Sequence, residues 1–264
     1  MRTEAATLPG SPERPNEDWV GAVLPASGAG GVVVVLDGVT PPSGACGCVH
    51  GVPWFTARLG GALTELSVSR GDLTLPEILS LAIRRTADAH RNTCDLSHVR
   101  TPQATVALAR WNAAVVEHLV LSDAALLLRS PDGTVRAVLD DRLDRVPAEV
   151  RRSVEATDRL RNREGGFFTA AADPAVAALA VTGTTPRAEV RALAALSDGA
   201  SRWVELFGEG DWADLFGVLE REGPRGLLRR VRALEAADPW TSRAAGGTRR
   251  GKLHDDATAV YAEL

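Results

Sequence analysis

Two hydrophobic rhythms alternate along this chain. Trp19 to Leu24 and Val32 to Leu36 are short apolar runs separated by the Gly-rich stretch ASGAGG, which predicts two strands around a turn. After the breaker PPSGACGC the rhythm lengthens to helical spacing. Helices are predicted from Trp54 to Leu66 and from Leu75 to Thr93, the second behind the start signal TLPE. Short runs then return at Ala104 to Ala109, Val115 to Leu121, Ala124 to Leu128 and Val135 to Leu139, with Ser130-Pro131-Asp132-Gly133 as a turn, and these predict an antiparallel meander.

Residues 147–163 are charged and helix-prone. Ala175 to Thr182 and Val190 to Leu196 are patterned as strands, with Gly183-Thr184-Thr185-Pro186 as the turn between them. Residues 199–237 carry Trp203, Phe207, Trp212, Leu215, Leu219, Leu227 and Leu234 at helix-compatible spacing. The loose segment SRAAGGTRRGK follows, and Ala257 to Leu264 is a final strand. No repeat and no linker between two self-sufficient cores is visible. The expectation is one α+β domain over 1–264 with its sheets packed between helices, and residues 1–12 as a loose N-terminal tail.

Composition changes this picture little. The 264 residues are 45% hydrophobic and 24% charged, an ordinary globular balance, and a formal net charge of -4 gives no electrostatic reason to expect nucleic acid or an anionic membrane as partner. The apolar run Val32 to Leu36 falls far short of the roughly 20 residues that span a bilayer, and the N-terminus has no signal-peptide core. Three cysteines leave one unpaired in any disulfide scheme, which suits a reducing compartment, so a cytoplasmic protein is expected, monomeric by default. Lys252 is the only lysine, so most cationic groups are arginines able to grip phosphate or carboxylate through two contacts.

The candidate chemistry lies in carboxylates beside the apolar runs. Asn16-Glu17-Asp18 precedes the first strand, Asp37-Gly38 follows the second, and Ser122-Asp123 sits between meander strands. Ser197-Asp198-Gly199 follows a later strand, and Asp255-Asp256 precedes the last. Acids at strand ends can converge on one rim of a sheet, each held by rigid backbone. Hard divalent cations such as Mg²⁺ or Mn²⁺ want oxygen ligands, and two of them roughly 3.5–4 Å apart can share one carboxylate. Taken singly, each cluster also fits an ordinary solvated turn.

Their order supplies more. NEDW, VVVVLDG, TPQATVALA, LSDAALLL, ALSDGASR and DDATAVYAEL resemble the successive signature segments of type 2C (PP2C) protein phosphatases, from about Arg14 to the C-terminus. The resemblance implies a four-layer sandwich, two antiparallel sheets flanked by helix pairs. It implies hydrolysis of phosphoserine or phosphothreonine in proteins by a hydroxide bridging two divalent metals, Mn²⁺ or Mg²⁺. In that pattern Asp37 is the bridging ligand, Gly38 a carbonyl ligand, and Asp198 and Asp255 ligands of the first metal, with Asp256 the fallback for Asp255. Glu17 and Asp18 hold the second metal, and Asp123 with Asp198 a third, weaker one. Arg14 is the candidate phosphate-binding arginine, offset by one residue from the usual place.

The sequence departs from the pattern in two further places. Val39-Thr40-Pro41-Pro42 stands where the family has a Gly-rich stretch that sometimes carries a histidine proposed as general acid, and Ser122 stands for the usual glycine. Missing an acid slows poor leaving groups more than aryl phosphates. The departures motivate two rivals, a catalytically weak binding module of the same fold and a phosphatase for a small phosphorylated metabolite. A third is an interaction protein without metals.

Other residues carry less. Cys46-Gly47-Cys48-Val49-His50 lacks a second ligand pair at a plausible spacing and reads as a loop of small residues rather than a zinc motif. Cys94 and Arg100 have the spacing of a cysteine-phosphatase loop, but the intervening DLSHV makes a poor phosphate cradle. His254 is expected on a surface turn, and His90, His98 and His118 in the core or on the surface. Arg225, Arg229, Arg230 and Arg232 are expected on a solvated helix face.

Overall fold

The computed structural model describes residues 2–42, 46–237 and 254–264. The run Gly31-Val-Val-Val-Val-Leu-Asp-Gly38 is β3, and its uninterrupted apolarity has a simple cause: both faces are covered. Val32, Val34 and Leu36 point to a helix pair, packing with Phe55, Leu59, Leu63, Ile78 and Ile83. Val33 and Val35 point to a second sheet, packing with Ala107, Val120, Leu126, Leu193 and Val260. Each such side chain, wholly withdrawn from water, contributes roughly 1.5–3 kcal/mol before entropy is counted.

Around β3 lies a five-stranded antiparallel sheet, ordered β2-β3-β4-β5-β8, from β2 (Trp19–Val23), β4 (Ala104–Trp111), β5 (Val115–Leu121) and β8 (Val181–Pro186). Its outer face carries α1 (Val52–Ser69) and α2 (Leu75–His90). Helix α2 starts on a capping box, in which the Thr74 hydroxyl accepts the Glu77 amide while the Glu77 carboxylate accepts the Thr74 amide. The second sheet is ordered β1-β10-β9-β6-β7, from β1 (Thr3–Leu8), β6 (Ala125–Arg129), β7 (Val135–Leu139), β9 (Ala192–Leu196) and β10 (Ala257–Glu263). Helices α5 (Asp198–Glu205) and α6 (Trp212–Ala237, broken at Gly223-Pro224) cover it through Trp203, Leu215, Phe216, Leu219, Leu227 and Val231. Short helices α3 (Ala148–Arg151) and α4 (Val154–Leu160) lie between β7 and β8 in the chain. Three apolar cores between four layers make the α+β sandwich expected of the sequence.

Several local expectations are corrected. Residues 3–8 are not a loose tail: β1 pairs along its length with β10, from Thr3↔Ala262 to Leu8↔Ala257, and packs Ala6 and Leu8 against the α5–α6 core. Small and β-branched residues at alternate positions suffice for an edge strand once a partner is available. The expected meander is divided, because β5 and β6 belong to different sheets. Pro174–Leu179 forms a 3-10 turn rather than a strand, since the Asp173 carboxylate accepts the Ala175 amide and Pro174 favours a helical start. Gly183 to Pro186, expected as a turn, belongs to β8 and pairs with β5. Arg232 is no solvated cation: it grips Glu235 and donates to the carbonyls of Leu8, Pro9 and Asp255. Lys252 and the SRAAGGTRRGK segment lie outside the described residues.

Removing residues 2–8 should therefore uncover the β10 edge and part of a core. We expect a loss of at least about 2 kcal/mol, a fall of roughly 4–8 °C in melting temperature, and a stronger tendency to aggregate. A truncated chain melting with the parent in calorimetry would show β1 to be dispensable.

Candidate active site

Antiparallel register decides where the acids go. The start of β2 lies against the end of β3 (Trp19↔Leu36), the end of β3 against the start of β4 (Gly38↔Ala104), and the start of β4 against the end of β5 (Val106↔Leu121). In the other sheet the end of β9 meets the starts of β10 and β6 (Leu196↔Ala259, Ala125↔Leu196). The β5–β6 connection crosses from one sheet to the other at this same end. Asp18, Asp37, Asp123, Asp198 and Asp255 thus all fall on one rim of the sandwich, although they are scattered along the chain.

Four of these carboxyls act on one another. Asp37 lies within hydrogen-bonding reach of Asp198 and is held well above the usual carboxylate range, by burial first and then by the charges of Asp198 and Asp18. Burial pushes Asp18 up to about 7; the hydroxyls of Thr258 and Ser197 oppose this, while Asp198 and Asp256 add to it. Those hydroxyls favour the charged form without completing a bond, for both Asp18 oxygens are buried with no hydrogen-bond partner among the described residues. Asp123 is likewise pushed up to about 7, by burial and then by Asp198. One Asp198 oxygen is also buried and unpartnered. Orphaned anionic oxygens in a crowded all-oxygen set fit a hard divalent cation, which would satisfy the lone pairs and cancel the repulsion.

Several residues hold this rim, and only some of them stand out in the sequence. Ser122 adopts a left-handed φ of 67°, uncommon for a residue with a side chain, which explains why glycine is usual there. Asp140 supports the turn by accepting the Ser122 amide at 2.8 Å, and Arg142 grips Asp140 through two contacts of 2.7 and 2.6 Å. Nothing in the local pattern around Asp140 distinguished it from a surface acid. Asp256 accepts the amides of Gly10 and Glu17, each at 2.7 Å, and so ties the start of β10 to the approach to β2. The Thr40 hydroxyl donates to Glu17, and the Val39 amide donates to the Gln103 carbonyl at 2.9 Å. Gly38 and Gly199 allow close backbone approach: a Cβ would stand 2.5 Å from the Glu17 carbonyl oxygen in the first case and 1.9 Å from that of Asp256 in the second.

The remaining candidates are placed differently. Asp255 is buried, but its carboxylate receives Arg202 at 3.2 Å and the Asp256 amide at 3.1 Å. Arg202 in turn reaches Glu235 at 2.7 Å, and Glu235 also receives Arg232 and His254, the latter at 2.8 Å. His254 is therefore part of a charged network and not a bare surface residue. Asp256, the fallback for Asp255, is occupied by its two amides. Arg14 is exposed in the loop between β1 and β2 and forms no ion pair with a described residue.

The raised carboxyls set a pH dependence. In the unfolded chain Asp18 and Asp123 ionise near 3.8, whereas in the folded, metal-free chain they hold their protons to about 7. The folded state binds more protons across that window, so stability is fully present at its lower edge and is lost as pH rises through it. Melts in chelator at pH 5 and pH 8 should show the loss, and Asp123→Asn should reduce it by about 1 kcal/mol or more. An unchanged pH slope in that variant would mean that Asp123 is not under strain.

No protein-family model matches the chain, and no curated protein matches it in sequence. Solved structures do. The Mycobacterium tuberculosis serine/threonine phosphatase PstP/Ppp is 18% identical with a TM-score of 0.61, over 100% of this chain and 98% of that one. The catalytic domain of serine/threonine protein phosphatase PstP, in complex with two manganese ions, is 19% identical with a TM-score of 0.58, over 99% and 97%. Serine/threonine phosphatase Stp1 from Staphylococcus aureus is 12% identical with a TM-score of 0.59, over 99% and 94%. With its two five-stranded sheets, flanking helices and acids gathered on one rim, the chain has the fold of the bacterial PP2C-type serine/threonine phosphatases.

Proposed function

We propose that the chain is a metal-dependent phosphatase acting on phosphomonoesters, with phosphoserine and phosphothreonine in proteins as its substrate class. One observation carries this reading: Asp18, Asp37, Asp123 and Asp198 crowd a single rim, where both Asp18 oxygens and one Asp198 oxygen are buried without a hydrogen-bond partner among the described residues. Asp37 and Asp198 would form the centre of the metal set, with Asp18, Glu17, the Gly38 carbonyl and Asp123 around them. When bound, Mn²⁺ or Mg²⁺ would neutralise phosphoryl oxygens and make a water more acidic. The likeness to phosphatases, one of them holding two manganese ions, supports the choice of cation.

The chain's own residues would do the positioning. Asp140 and Arg142 fix the turn that presents Asp123, Asp256 fixes Glu17, and Thr40 restrains the Glu17 carboxylate. Fixed donors and acceptors of this kind lower a barrier by removing reorganisation at the moment of reaction. A groove of about 670 Å³ lined by Arg142, Arg145, Pro147, Leu160, Phe168 and Leu179 shares Arg142 with that turn. It gives a peptide flanking the phosphate an apolar bed with cations at its wall. Arg14, exposed and unpaired with any described acid, is available to meet a phosphate from the loop before β2. The proposed setting is cytoplasmic; no described helix is long and apolar enough to cross a membrane.

A second reading is favoured by Asp255, whose carboxylate is taken up by Arg202. A rim short of one ligand would bind metal and phosphate yet turn over slowly, as a binding module does. Aryl-phosphate hydrolysis with Mn²⁺, with Mg²⁺ and with chelator separates the two. We expect metal-dependent turnover that falls at least about 100-fold in the Asp37→Asn, Asp198→Asn double variant. Stabilisation by Mn²⁺ without turnover would favour the binding module, and neither effect would sink both. Faster turnover of phosphorylated metabolites than of phosphopeptides would instead move the substrate class.

A further inference from the structure

Away from the acid rim, four soft or borderline ligands meet where α1 begins and α2 ends. Cys48 Sγ lies 3.7 Å from His50 Nδ1, 3.5 Å from His90 Nδ1 and 3.1 Å from Cys94 Sγ, and His50 Nδ1 lies 3.3 Å from Cys94 Sγ. All four atoms fall within 4.8 Å of one another, and they are the only such group of potential metal ligands among the described residues. A tetrahedral ion with sulfur at about 2.3 Å and nitrogen at about 2.0–2.1 Å spaces its ligand atoms by roughly 3.3–3.8 Å. The three sulfur–nitrogen separations of 3.3, 3.5 and 3.7 Å fall on those edges, and the two sulfurs, at 3.1 Å, would move slightly apart around an ion. The sulfurs are unbonded, as all three cysteines are free thiols.

The surroundings are those of a built site. His90 is only 2% exposed, its Nε2 has no hydrogen-bond partner among the described residues, and its Nδ1 is turned to the cluster. With the proton on Nε2, His90 Nδ1 presents a lone pair to the centre. His90 is the last residue of α2, and the Cys94 amide donates back to its carbonyl at 3.0 Å, so one further turn puts both side chains on the same side. Opposite them the His50 amide donates to Cys48 Sγ at 3.4 Å, an arrangement that favours a thiolate. Trp54 stacks on His50 at 4.2 Å and tilts against His90 at 5.2 Å, so one ring braces both imidazoles. The Asp95 amide donates to the Gly47 carbonyl at 2.7 Å, so the two ligand pairs are clamped together independently of any ion.

We propose that Cys48, His50, His90 and Cys94 form a structural zinc site. The second ligand pair, which the Cys46–His50 stretch lacks in its own neighbourhood, is supplied from across the helix hairpin. Two thiols lose their protons on binding, so two thiolates and two neutral imidazoles leave the Zn²⁺ centre without net charge, and four protein ligands leave no open position for chemistry. Soft sulfur selects against Mn²⁺ and Mg²⁺, which prefer the all-oxygen rim. The ion would pin the connection from β3 to α1, the stretch that carries Thr40 and its bond to Glu17, to the end of α2. This site stands whether or not the phosphatase reading does.

The test is elemental analysis of the full chain after dialysis against a competing chelator, with Co²⁺ as a spectroscopic probe of the reduced apoprotein. We expect one zinc per chain, and intense visible absorption of tetrahedral thiolate-bound cobalt that added Zn²⁺ abolishes. Cys94→Ala and His50→Asn should each bind zinc more than about 100-fold more weakly, with circular dichroism checking that they fold. Cys46→Ser, and the Asp37→Asn, Asp198→Asn variant, should keep the ion. No zinc and no cobalt band in the reduced parent would overturn the proposal. So would zinc that survives Cys94→Ala but is lost from the aspartate variant, since the ion would then belong to the acid rim. A Cys48–Cys94 disulfide in a chain that takes up no zinc after reduction would also overturn it.

Discussion

The register between antiparallel strands is the constraint on which the rest of this molecule depends. Once Trp19 pairs with Leu36, Gly38 with Ala104 and Leu196 with both Ala125 and Ala259, the termini that carry the aspartates have no freedom to separate. A slip of one residue in any of these pairs would turn a strand's apolar set from one core to another, and with three cores to fill the cost is prohibitive. Hydrophobic packing between four layers is therefore what forces anionic groups into one another's fields.

That enforced crowding explains the character of the residues around the rim. Carboxyls at close quarters in a poorly hydrated place either hold their protons to higher pH or acquire a cation, and burial and mutual repulsion push Asp18, Asp37 and Asp123 up when the protein is alone. The surrounding groups do not neutralise the cluster; they fix its backbone. Asp140 holds an amide beside Asp123, Asp256 holds two, and Arg142 compensates Asp140 instead of the central acids. Asp255 is the exception, compensated directly by Arg202 within a network that includes Glu235, Arg232 and His254. The ion pairs thus fall on Asp140 and Asp255, and Asp18, Asp37, Asp123 and Asp198 form none among the described residues.

The layers and the acids were legible in the sequence because they depend on local pattern. Continuous apolar runs such as Val32 to Leu36 mark strands buried on both faces, and acids at their ends mark the rim. What escaped depends on distant partners. β1 is too weakly apolar to announce itself without β10, and the alanine-rich Pro174–Leu179 follows its Asp173 cap instead of its hydrophobicity. Asp140 matters only because the Ser122 amide arrives from 18 residues earlier. Arg232 looked like one of several helix-face arginines until the loop after β1 and the start of β10 were brought to it. Cys48 and Cys94 are 46 positions apart, a spacing that means nothing until the α1–α2 hairpin folds.

The place of β10 in its sheet has a consequence for biosynthesis. It lies between β1 and β9, and the Thr258 hydroxyl meets that of Thr7 across 251 positions of sequence. Asp256 completes the link by holding the amides of Gly10 and Glu17. On the ribosome β1 is made before β2 to β9 and waits without its neighbour until all of them have been made. The helix hairpin over β3 and β4 can consolidate from contacts close in sequence, but this sheet must remain open until its inner strand has left the exit tunnel. The acid rim is therefore completed only once β10 is in place, and a nascent chain carries the individual aspartates well before it carries a site.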